Sequence, residues 1–337
     1  MAQVEENWLR PIGMFDSGVG GLSVARVLLH RFPQERLFYV GDTAHVPYGD
    51  RSTEELIALG DAIVRYLLSQ QVRALVVACN TSSAVSMPVL RERYPDLPMV
   101  GMIEPGARAA LAATRTGRIG LLATQATVRS QAYVQTLQRL VSASRQDNGP
   151  APWQGELTLV SQAAPLLVPL IEAGRVHDRE TRVALEEYLR PLLAADVDTL
   201  ILGCTHYPFV APIIQELTQG QVALVDPAQA VIDELAWRIA LRTETVGTDD
   251  GPDQASGSAA SGRHNGHSMG DGLLGRSDGN GVPRIGQLDP NRHRFGATGD
   301  PRRFAAAARL FLGTPVPKVD KVQLDVELPA RPAASRA

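Results

Sequence analysis

The sequence predicts an α/β fold of two pseudo-symmetric doubly wound parallel-sheet domains, with a candidate active site in the cleft between them. Three observations favour this fold. Short apolar segments alternate with amphipathic segments of helical period from Pro11 onward. The segment PIGMFDSG at residues 11–18 is echoed by RIGLLATQ at residues 118–125. The two cysteines of the chain, Cys79 and Cys204, each follow an apolar run.

The predicted elements alternate along the chain. Strands are expected at residues 12–15, 37–40, 75–78, 99–103, 119–123, 157–160, 200–202 and 222–225, where short apolar runs are bounded by turn residues. Helices are expected at residues 21–32, 53–70, 82–93, 125–141, 179–195 and 301–312. Folds of this class bind ligands beyond the carboxyl ends of their strands. Side chains just after these strands are therefore the candidate site residues.

The echo between the two halves predicts two similar domains. The first is expected to be discontinuous, residues 1–103 plus 221–328, with the second, residues 104–220, inserted into it. Residues 247–290 contain 11 glycines and no apolar period. Such a segment cannot bury enough apolar surface to offset the entropy of ordering it, so we expect a disordered surface insert there.

The composition excludes several classes of protein. A net charge of -3 without a basic stripe predicts no nucleic-acid partner. No apolar run approaches the roughly 20 residues of a membrane span, and the first residues lack a secretory pattern, so we expect a cytoplasmic protein with no membrane partner. Two cysteines in 337 residues do not make a disulfide scaffold.

Lysine is confined to Lys318 and Lys321. The first 317 residues therefore offer no lysine for a pyridoxal Schiff base or a Walker-type phosphate loop. We predict no cofactor and no metal.

The two cysteines are the strongest candidate catalytic residues. Each is expected where a strand passes into a helix, and the free N–H groups and dipole of a helix start lower the pKa of a thiol. Two opposed thiols could remove a proton from one face of an α-carbon and return one to the other face. Asp16 could serve Cys79 in this chemistry, and His206 could serve Cys204. The ordinary alternatives are a helix cap for Asp16 and a structural role for His206.

The segment FDSGVGGLSV at residues 15–24 leaves a second function class open. Its glycines follow a strand and open a helix, as in a dinucleotide-binding loop, and Asp42 lies where a ribose-binding acid would. Ser23 replaces the third glycine, however, and Asp16 would repel a pyrophosphate. The N–H groups behind Asp16 could instead receive a substrate carboxylate.

Polar residues at the remaining strand ends predict a recognition shell for a small zwitterion. Each of them alone is more often a helix N-cap. Around one cleft they would supply hydroxyl and amide partners for carboxylates and an ammonium; the residues are Asn80, Thr81, Thr124, Thr127 and Thr205.

Seven segments together resemble glutamate racemases of the aspartate/glutamate racemase family. The segments are FDSGVGGLSV, YVGDTAHVPYG, VVACNTSSA, GLLATQATVRSQAY, VPLIEAG, LILGCTHYPF and HRFGATGDPRRF, in this order along nearly the whole chain outside the insert. The resemblance implies a cofactor-independent enzyme that interconverts L- and D-glutamate and supplies D-glutamate for peptidoglycan synthesis. It also implies a small-molecule substrate and allows a homodimer.

The resemblance implies a role for each site residue. Cys79 and Cys204 match the two acid/base residues, the first acting on the D-enantiomer and the second on the L-enantiomer. Asp16, Glu172 and His206 match the auxiliary acid/base positions. The residues that match substrate-contacting positions are Asp16, Ser17, Pro47, Tyr48, Gly49, Asn80, Thr81, Thr124, Thr127, Thr205 and His206.

Two departures and three alternatives accompany the resemblance. The family usually has a further cysteine where this chain has Ala164, and an IDSG-like segment where it reads VDPAQ at residues 225–229. The alternatives are an aspartate racemase or related two-thiol epimerase, a Rossmann oxidoreductase, and a protein that binds DNA gyrase, as some members of the family do. His206 favours glutamate over aspartate, because relatives acting on other substrates more often carry an acid at its position.

Overall fold

The computed structural model describes residues 9–146, 153, 156–245, 285 and 287–329. Its strands, β1 to β10, lie at Ile12–Asp16, Leu37–Gly41, Ala74–Val77, Met99–Gly101, Arg118–Ala123, Thr158–Ala163, Thr199–Gly203, Ala223–Val225, His293–Ala297 and Val319–Lys321. Its α-helices, α1 to α12, lie at Leu22–Arg31, Thr53–Ser69, Asn80–Val85, Met87–Arg93, Ile103–Ala113, Gln125–Ser130, Ala132–Gln146, Leu167–Glu172, Arg179–Ala194, Ala211–Leu217, Ala228–Thr245 and Pro301–Leu312. A 3-10 helix covers Tyr207–Val210.

The strands form two parallel sheets with the same internal order. The first sheet runs β10-β9-β2-β1-β3-β4 and the second runs β6-β5-β7-β8. Every neighbouring pair is parallel. The order β2-β1-β3-β4 thus recurs as β6-β5-β7-β8, which makes β1 equivalent to β5 and β3 equivalent to β7. The predicted fold class, with two pseudo-symmetric doubly wound sheets, is confirmed.

Alternating strand residues bury both faces of each sheet. In β1, Met14 and Phe15 belong to different apolar clusters, as expected for neighbours that point to opposite faces. In β7, Ile201 likewise lies in a different cluster from Leu200. The cluster that contains Met14 also contains Leu200, so the two sheets share one core. Near-continuous apolar strands of this kind are typical of parallel sheets covered by helices.

Local sequence determines the helix boundaries at several points. Helix α2 begins after Ser52, whose hydroxyl accepts the N–H of Glu55 at 3.2 Å, while the Glu55 side chain accepts the N–H of Ser52 at 3.0 Å. Helix α12 begins after the N-cap Asp300 and ends at Leu312, before Gly313, which has φ 71°. A left-handed residue at this position favours glycine.

Some element bounds differ from the sequence prediction. The single helix expected at residues 125–141 is broken at Gln131, which has φ 56° and separates α6 from α7. The helix expected at 82–93 begins at Asn80 and divides at Ser86. The strand expected at 99–103 ends at Gly101, because α5 begins at Ile103. Strands β9 and β10 were not predicted; β9 pairs with β2 and β10 with β9.

The second sheet extends past the predicted domain boundary at residue 220. Its edge strand β8 pairs with β7, and the chain returns to the first sheet with β9. Helix α11, which follows β8, contacts both α1 and α5. The division into domains stays a prediction. Of the predicted insert, residues 247–284 and 286 lie outside the described residues.

None of the helices in the described ranges is both long enough and apolar enough to span a membrane.

Candidate active site

Asp16 ends strand β1 and is fully buried. Its Oδ2 accepts the backbone N–H of Gly18 at 3.1 Å and that of Gly21 at 3.0 Å. Two N–H groups expected to receive a substrate carboxylate are therefore bonded to Asp16 itself, and the capping alternative for Asp16 is partly correct. Its Oδ1 is buried and accepts no hydrogen bond from any residue in the described part of the chain. That oxygen is an acceptor still open to a ligand.

Cys79 is the N-cap of the short helix α3 and is buried. Its Sγ lies 3.8 Å from Ser17 Oγ. Burial, reinforced by the charge of Asp16, raises the pKa of Cys79 to about 12, although hydrogen bonds with Ser82 and Ser17 oppose the rise. The expectation of a lowered pKa was wrong here, because loss of solvent and a nearby carboxylate outweigh the start of one short helix.

Cys204 follows strand β7, at the position equivalent to Cys79 after β3. The next element is the 3-10 helix Tyr207–Val210, so the expected α-helix start is absent at this thiol. The partner of Cys204 is instead a side chain, since its Sγ lies 3.7 Å from Nδ1 of His206. The two thiols therefore occupy equivalent strand ends with different polar neighbours.

His206 connects Cys204 to Glu172. Its Nε2 lies 2.9 Å from Oε1 of Glu172, the last residue of α8. Burial disfavours the imidazolium, but hydrogen bonds with Cys204 and Glu172 outweigh it and raise the pKa of His206 to about 10. The imidazole and the ring of Phe311 in α12 form a T-shaped pair, with centroids 5.5 Å apart. The raised pKa favours the protonated imidazole, which lies between Cys204, Glu172 and the ring of Phe311.

The loop between β1 and α1, together with the first turn of α1, reaches both thiol-bearing strand ends. Ser17 approaches Cys79, as described above, while Ser23 Oγ donates to the carbonyl oxygen of Thr205 at 3.2 Å. A Cβ placed on Gly20 would lie 2.4 Å from the His206 ring and 2.5 Å from Thr205 Oγ1. Residues 17–23 thus contact the surroundings of Cys79 on one side and those of Cys204 on the other.

Three threonine hydroxyls meet between the two sheets. Thr81 Oγ1 lies 2.9 Å from Thr124 Oγ1 and 3.3 Å from Thr127 Oγ1, and the last two are 3.0 Å apart. Thr81 belongs to α3, beside Cys79, whereas Thr124 is the N-cap of α6 and Thr127 lies in its first turn, directly after β5. The structure therefore brings together three of the predicted substrate-binding residues from opposite halves of the chain.

Asn80, the first residue of α3, is buried. Its Oδ1 accepts the hydroxyl of Tyr133 at 2.9 Å. Its Nδ2 donates no hydrogen bond to any of the residues described in the structure. Asn80 therefore offers a buried donor, as Asp16 offers a buried acceptor.

The segment Val46–Gly49 lies on the Cys79 side of the site. The Val46–Pro47 peptide bond is cis. Tyr48 packs in one apolar cluster with Cys79 and Ala126, and its hydroxyl donates to Oδ2 of Asp42 at 2.5 Å. A Cβ on Gly49 would lie 3.7 Å from Cβ of Thr124. Pro47, Tyr48 and Gly49 thus lie between the end of β2 and the threonine group.

Asp42 is a site residue whose role the sequence interpretation missed. It is fully buried after β2, where it accepts the Tyr48 hydroxyl and the Thr298 hydroxyl, the latter at 2.6 Å on Oδ1. His45 Nδ1 lies 2.6 Å from the same Oδ1. Both carboxylate oxygens are thus occupied by protein groups, which does not fit a ribose-binding acid. Its position was the one sequence feature that could have indicated a site role, because Asp42 directly follows β2 just as Asp16 ends β1.

The candidate site contains two buried thiols and, around them, polar groups that include both hydrogen-bond donors and acceptors. One thiol has an aspartate neighbour and the other a histidine neighbour. Near Cys79 lie an open carboxylate oxygen, an open amide donor and several hydroxyls, on Asp16, Asn80 and the three threonines. Such an arrangement can bind an ammonium and carboxylates and can move a proton on either face of the carbon that carries them.

Comparisons with known proteins identify the family of the chain. The family profile described as Asp/Glu/Hydantoin racemase matches residues 23–235. A protein of Syntrophus aciditrophicus named "Glutamate racemase" is 37% identical over 94% of this chain and 97% of its own length.

Two solved structures are similar over the same extent. A glutamate racemase isoform from Bacillus anthracis has a TM-score of 0.72 and 32% identity, covering 94% of this chain and 99% of its own. A glutamate racemase from Francisella tularensis in complex with D-glutamate has a TM-score of 0.70 and 27% identity, covering 94% and 98%. With a family profile matched over more than half of the chain and a relative aligned almost from end to end, the chain belongs to the Asp/Glu/Hydantoin racemase family.

Proposed function

We propose that this protein interconverts L- and D-glutamate by a cofactor-independent two-base reaction at the α-carbon, and that it supplies D-glutamate for peptidoglycan synthesis. The observation that carries the proposal is the equivalence of two strand ends. Cys79 follows β3 and Cys204 follows β7, in sheets of the same strand order. One segment, residues 17–23, which is the loop after β1 and the first turn of α1, contacts the surroundings of both thiols.

The choice of glutamate is supported by the relatives and by the site. The relatives of high identity are named glutamate racemases, and one similar structure contains D-glutamate. In this chain, Asp16 Oδ1 is available to accept from a substrate ammonium, and Asn80 Nδ2 is available to donate to a substrate carboxylate. The hydroxyls of Thr81, Thr124 and Thr127 supply further donors for a second carboxylate.

The proton transfers balance over one turnover. With L-glutamate, the Cys204 thiolate takes the proton from the α-carbon and becomes a thiol. The electron pair of the broken C–H bond stays on the α-carbon. The Cys79 thiol then donates its proton to the opposite face of that carbon, which gives D-glutamate and leaves a Cys79 thiolate. Each thiol ends in the state that the reverse reaction requires.

The neighbouring charges fit this assignment of states. A pKa of about 12 keeps Cys79 protonated before substrate binds, as the donor role with L-glutamate requires. His206, with a pKa raised to about 10, is an imidazolium near neutral pH and can donate to a Cys204 thiolate. A substrate ammonium beside Asp16 would offset the charge that disfavours a Cys79 thiolate, so the reverse direction becomes accessible once D-glutamate is bound.

The decisive experiment follows the α-carbon in D₂O. The purified protein is incubated with D-glutamate or L-glutamate without pyridoxal phosphate, and both the Cα proton signal and the optical rotation are recorded. We expect solvent deuterium to enter the α-position while the rotation decays from either enantiomer. Inert glutamate would contradict the proposed reaction, and faster turnover of aspartate would contradict the proposed substrate.

Single thiol replacements test the two-base step. We expect Cys79→Ser and Cys204→Ser each to lower racemisation about 10²- to 10⁴-fold, the usual contribution of a positioned acid or base. Both substitutions keep the size of the side chain nearly unchanged, so circular dichroism should report an intact fold. A Ser variant with near-normal turnover would remove that thiol from the mechanism.

A further inference from the structure

The hydrogen bond between Tyr133 and Asn80 joins the two halves of the site. Tyr133 belongs to α7, which follows β5 of the second sheet, and Asn80 begins α3 beside Cys79. The Tyr133 hydroxyl donates to Asn80 Oδ1 at 2.9 Å. Both side chains are almost completely buried, at 1% and 2% exposure. A bond in such surroundings is a strong restraint, because water is not there to replace it.

This bond determines which end of the Asn80 amide is open to a ligand. An asparagine side chain has one oxygen that accepts and one NH₂ group that donates. With Oδ1 bonded to Tyr133, the end without a partner in the described structure is Nδ2. After a flip of the amide, Nδ2 could donate to the phenol oxygen, but the phenol proton would lose its acceptor, Oδ1. The observed orientation is thus the one that satisfies Tyr133.

The surroundings keep Tyr133 in the donor state. Burial, with a smaller effect from the charge of Asp226, raises the pKa of Tyr133 far above its usual range, so the hydroxyl keeps its proton at any physiological pH. The neighbouring helix also leaves room for the hydroxyl. Gly106 of α5 has no side chain, and a Cβ there would lie 3.0 Å from Tyr133 Oη. The phenol hydroxyl of Tyr133 is therefore closely packed against α5.

We propose that Tyr133 is a positioning residue that locks the Asn80 amide with Nδ2 toward the substrate. The inference rests on the proposed function, because the ligand of Nδ2 is a carboxylate of the amino-acid substrate. Tyr133 itself touches no reacting atom and acts through Asn80. Since α7 belongs to the second half and α3 to the first, the substrate donor beside Cys79 is oriented by the half that carries Cys204.

The test removes one oxygen atom. Tyr133→Phe keeps the buried ring and deletes the hydroxyl, and Tyr94→Phe is the matched control, because Tyr94 donates a similar bond, 2.9 Å long, to Asp61. We expect Tyr133→Phe to raise KM for glutamate about tenfold with kcat nearly unchanged, because Nδ2 binds the substrate carboxylate equally well before and during proton transfer. Tyr94→Phe should leave KM unchanged.

A double-mutant cycle separates positioning from general packing. In an Asn80→Ala background, adding Tyr133→Phe should change KM no further, because the amide through which Tyr133 acts is gone. A merely structural role for Tyr133 would instead raise KM by the same factor in both backgrounds. That outcome, or an unchanged KM in the single Tyr133→Phe variant, would overturn the proposal.

A second readout does not depend on activity. The ¹⁵N–¹H signals of the Asn80 side-chain NH₂, identified by their loss in Asn80→Ala, should report a more mobile amide in Tyr133→Phe than in the wild type or in Tyr94→Phe. Equal amide mobility in the three proteins would reject positioning by Tyr133. Inert glutamate in the wild type would reject the proposed function instead, and the NMR comparison would still decide the orientation of Asn80.

Discussion

His206 Nε2 lies 2.9 Å from Oε1 of Glu172, and this contact joins the end of α8 to the turn that follows β7. The other ring nitrogen of His206, Nδ1, faces Cys204. Glu172 therefore acts on Cys204 only through the imidazole. Since the Glu172 side chain is 39% exposed, solvent screens its charge, and the effect of Glu172 should be moderate.

Glu172→Gln should narrow the pH range of activity. Replacing the carboxylate with an amide removes the negative charge and leaves His206 Nε2–H a weaker, neutral acceptor, so the imidazolium should lose its proton at a lower pH. We expect the alkaline limb of the kcat/KM profile to move to lower pH. At the pH where the wild-type limb lies, kcat/KM should be about tenfold lower in the variant. Glu216→Gln, which removes an exposed carboxylate paired with Arg182, is the matched control. An alkaline limb at the wild-type pH would show that Glu172 does not raise the pKa of His206.

His206 should also make stability depend on pH above neutrality. Its pKa is raised from 6.5 to about 10, so the folded protein binds this proton more tightly than the unfolded chain. The stabilisation is fully present below pH 6.5, declines as the pH rises, and is lost above about pH 10. The melting temperature of the wild type should therefore fall across this range more steeply than that of His206→Gln.

His293 supplies the control for that measurement. Burial lowers its pKa from 6.5, so it titrates below the range in question. His293→Gln should leave the slope of melting temperature against pH unchanged above pH 6.5. If His206→Gln retained the wild-type slope there, the imidazolium of His206 would not be the group responsible.

Gly20→Ala should inactivate the protein by displacing His206. A Cβ at Gly20 would lie 2.4 Å from the His206 ring, so the imidazole has to move away from Cys204. We expect a loss of racemisation of about a hundredfold, as for a displaced acid/base group. Gly18→Ala is the matched control in the same loop, because a Cβ there would meet its nearest atoms at 3.7 Å, an ordinary contact. Equal activity of the two variants would argue against a tight fit of His206.

The sequence predicted the architecture well because apolar periodicity is a local property. Short apolar strands such as the one that ends at Cys204 are visible without any knowledge of packing. Strand β10 was missed because its three residues, Val319–Lys321, become a strand only by pairing with β9. The break at Gln131 was missed because a single residue with positive φ leaves the apolar period of the flanking helices intact.

The candidate site was predicted in composition but not in its electrostatics. Motif and position identified the thiols and their polar neighbours. The raised pKa of Cys79 depends on burial and on Asp16, which lies 63 residues away in the sequence. Tyr133 and Asp42 hold site residues through bonds from other elements, and no local pattern distinguishes such a tyrosine or aspartate from a core residue.

Asp42→Asn should weaken both the fold and the reaction. The buried carboxylate accepts hydroxyl protons from Tyr48 and Thr298, and Thr298 follows β9, so Asp42 ties the loop that carries Tyr48 to another strand end. An amide has a single acceptor oxygen and would set an NH₂ group against one of these donors. We expect a loss of about 3 kcal/mol in the free energy of unfolding, as for a broken buried charged hydrogen bond.

The kinetic consequence of Asp42→Asn should follow from Tyr48. Freed from Asp42, Tyr48 no longer holds its place beside Cys79, so KM for glutamate should rise more than can be explained by the unfolded fraction. Urea unfolding gives the stability, and assays well below the urea midpoint give the kinetics. Asp61→Asn is the matched control, because Asp61 also accepts a tyrosine hydroxyl, that of Tyr94, in the α2–α4 contact. Asp61→Asn should lower stability without changing KM. Equal KM values for the two variants would show that Asp42 contributes to the fold and not to substrate binding.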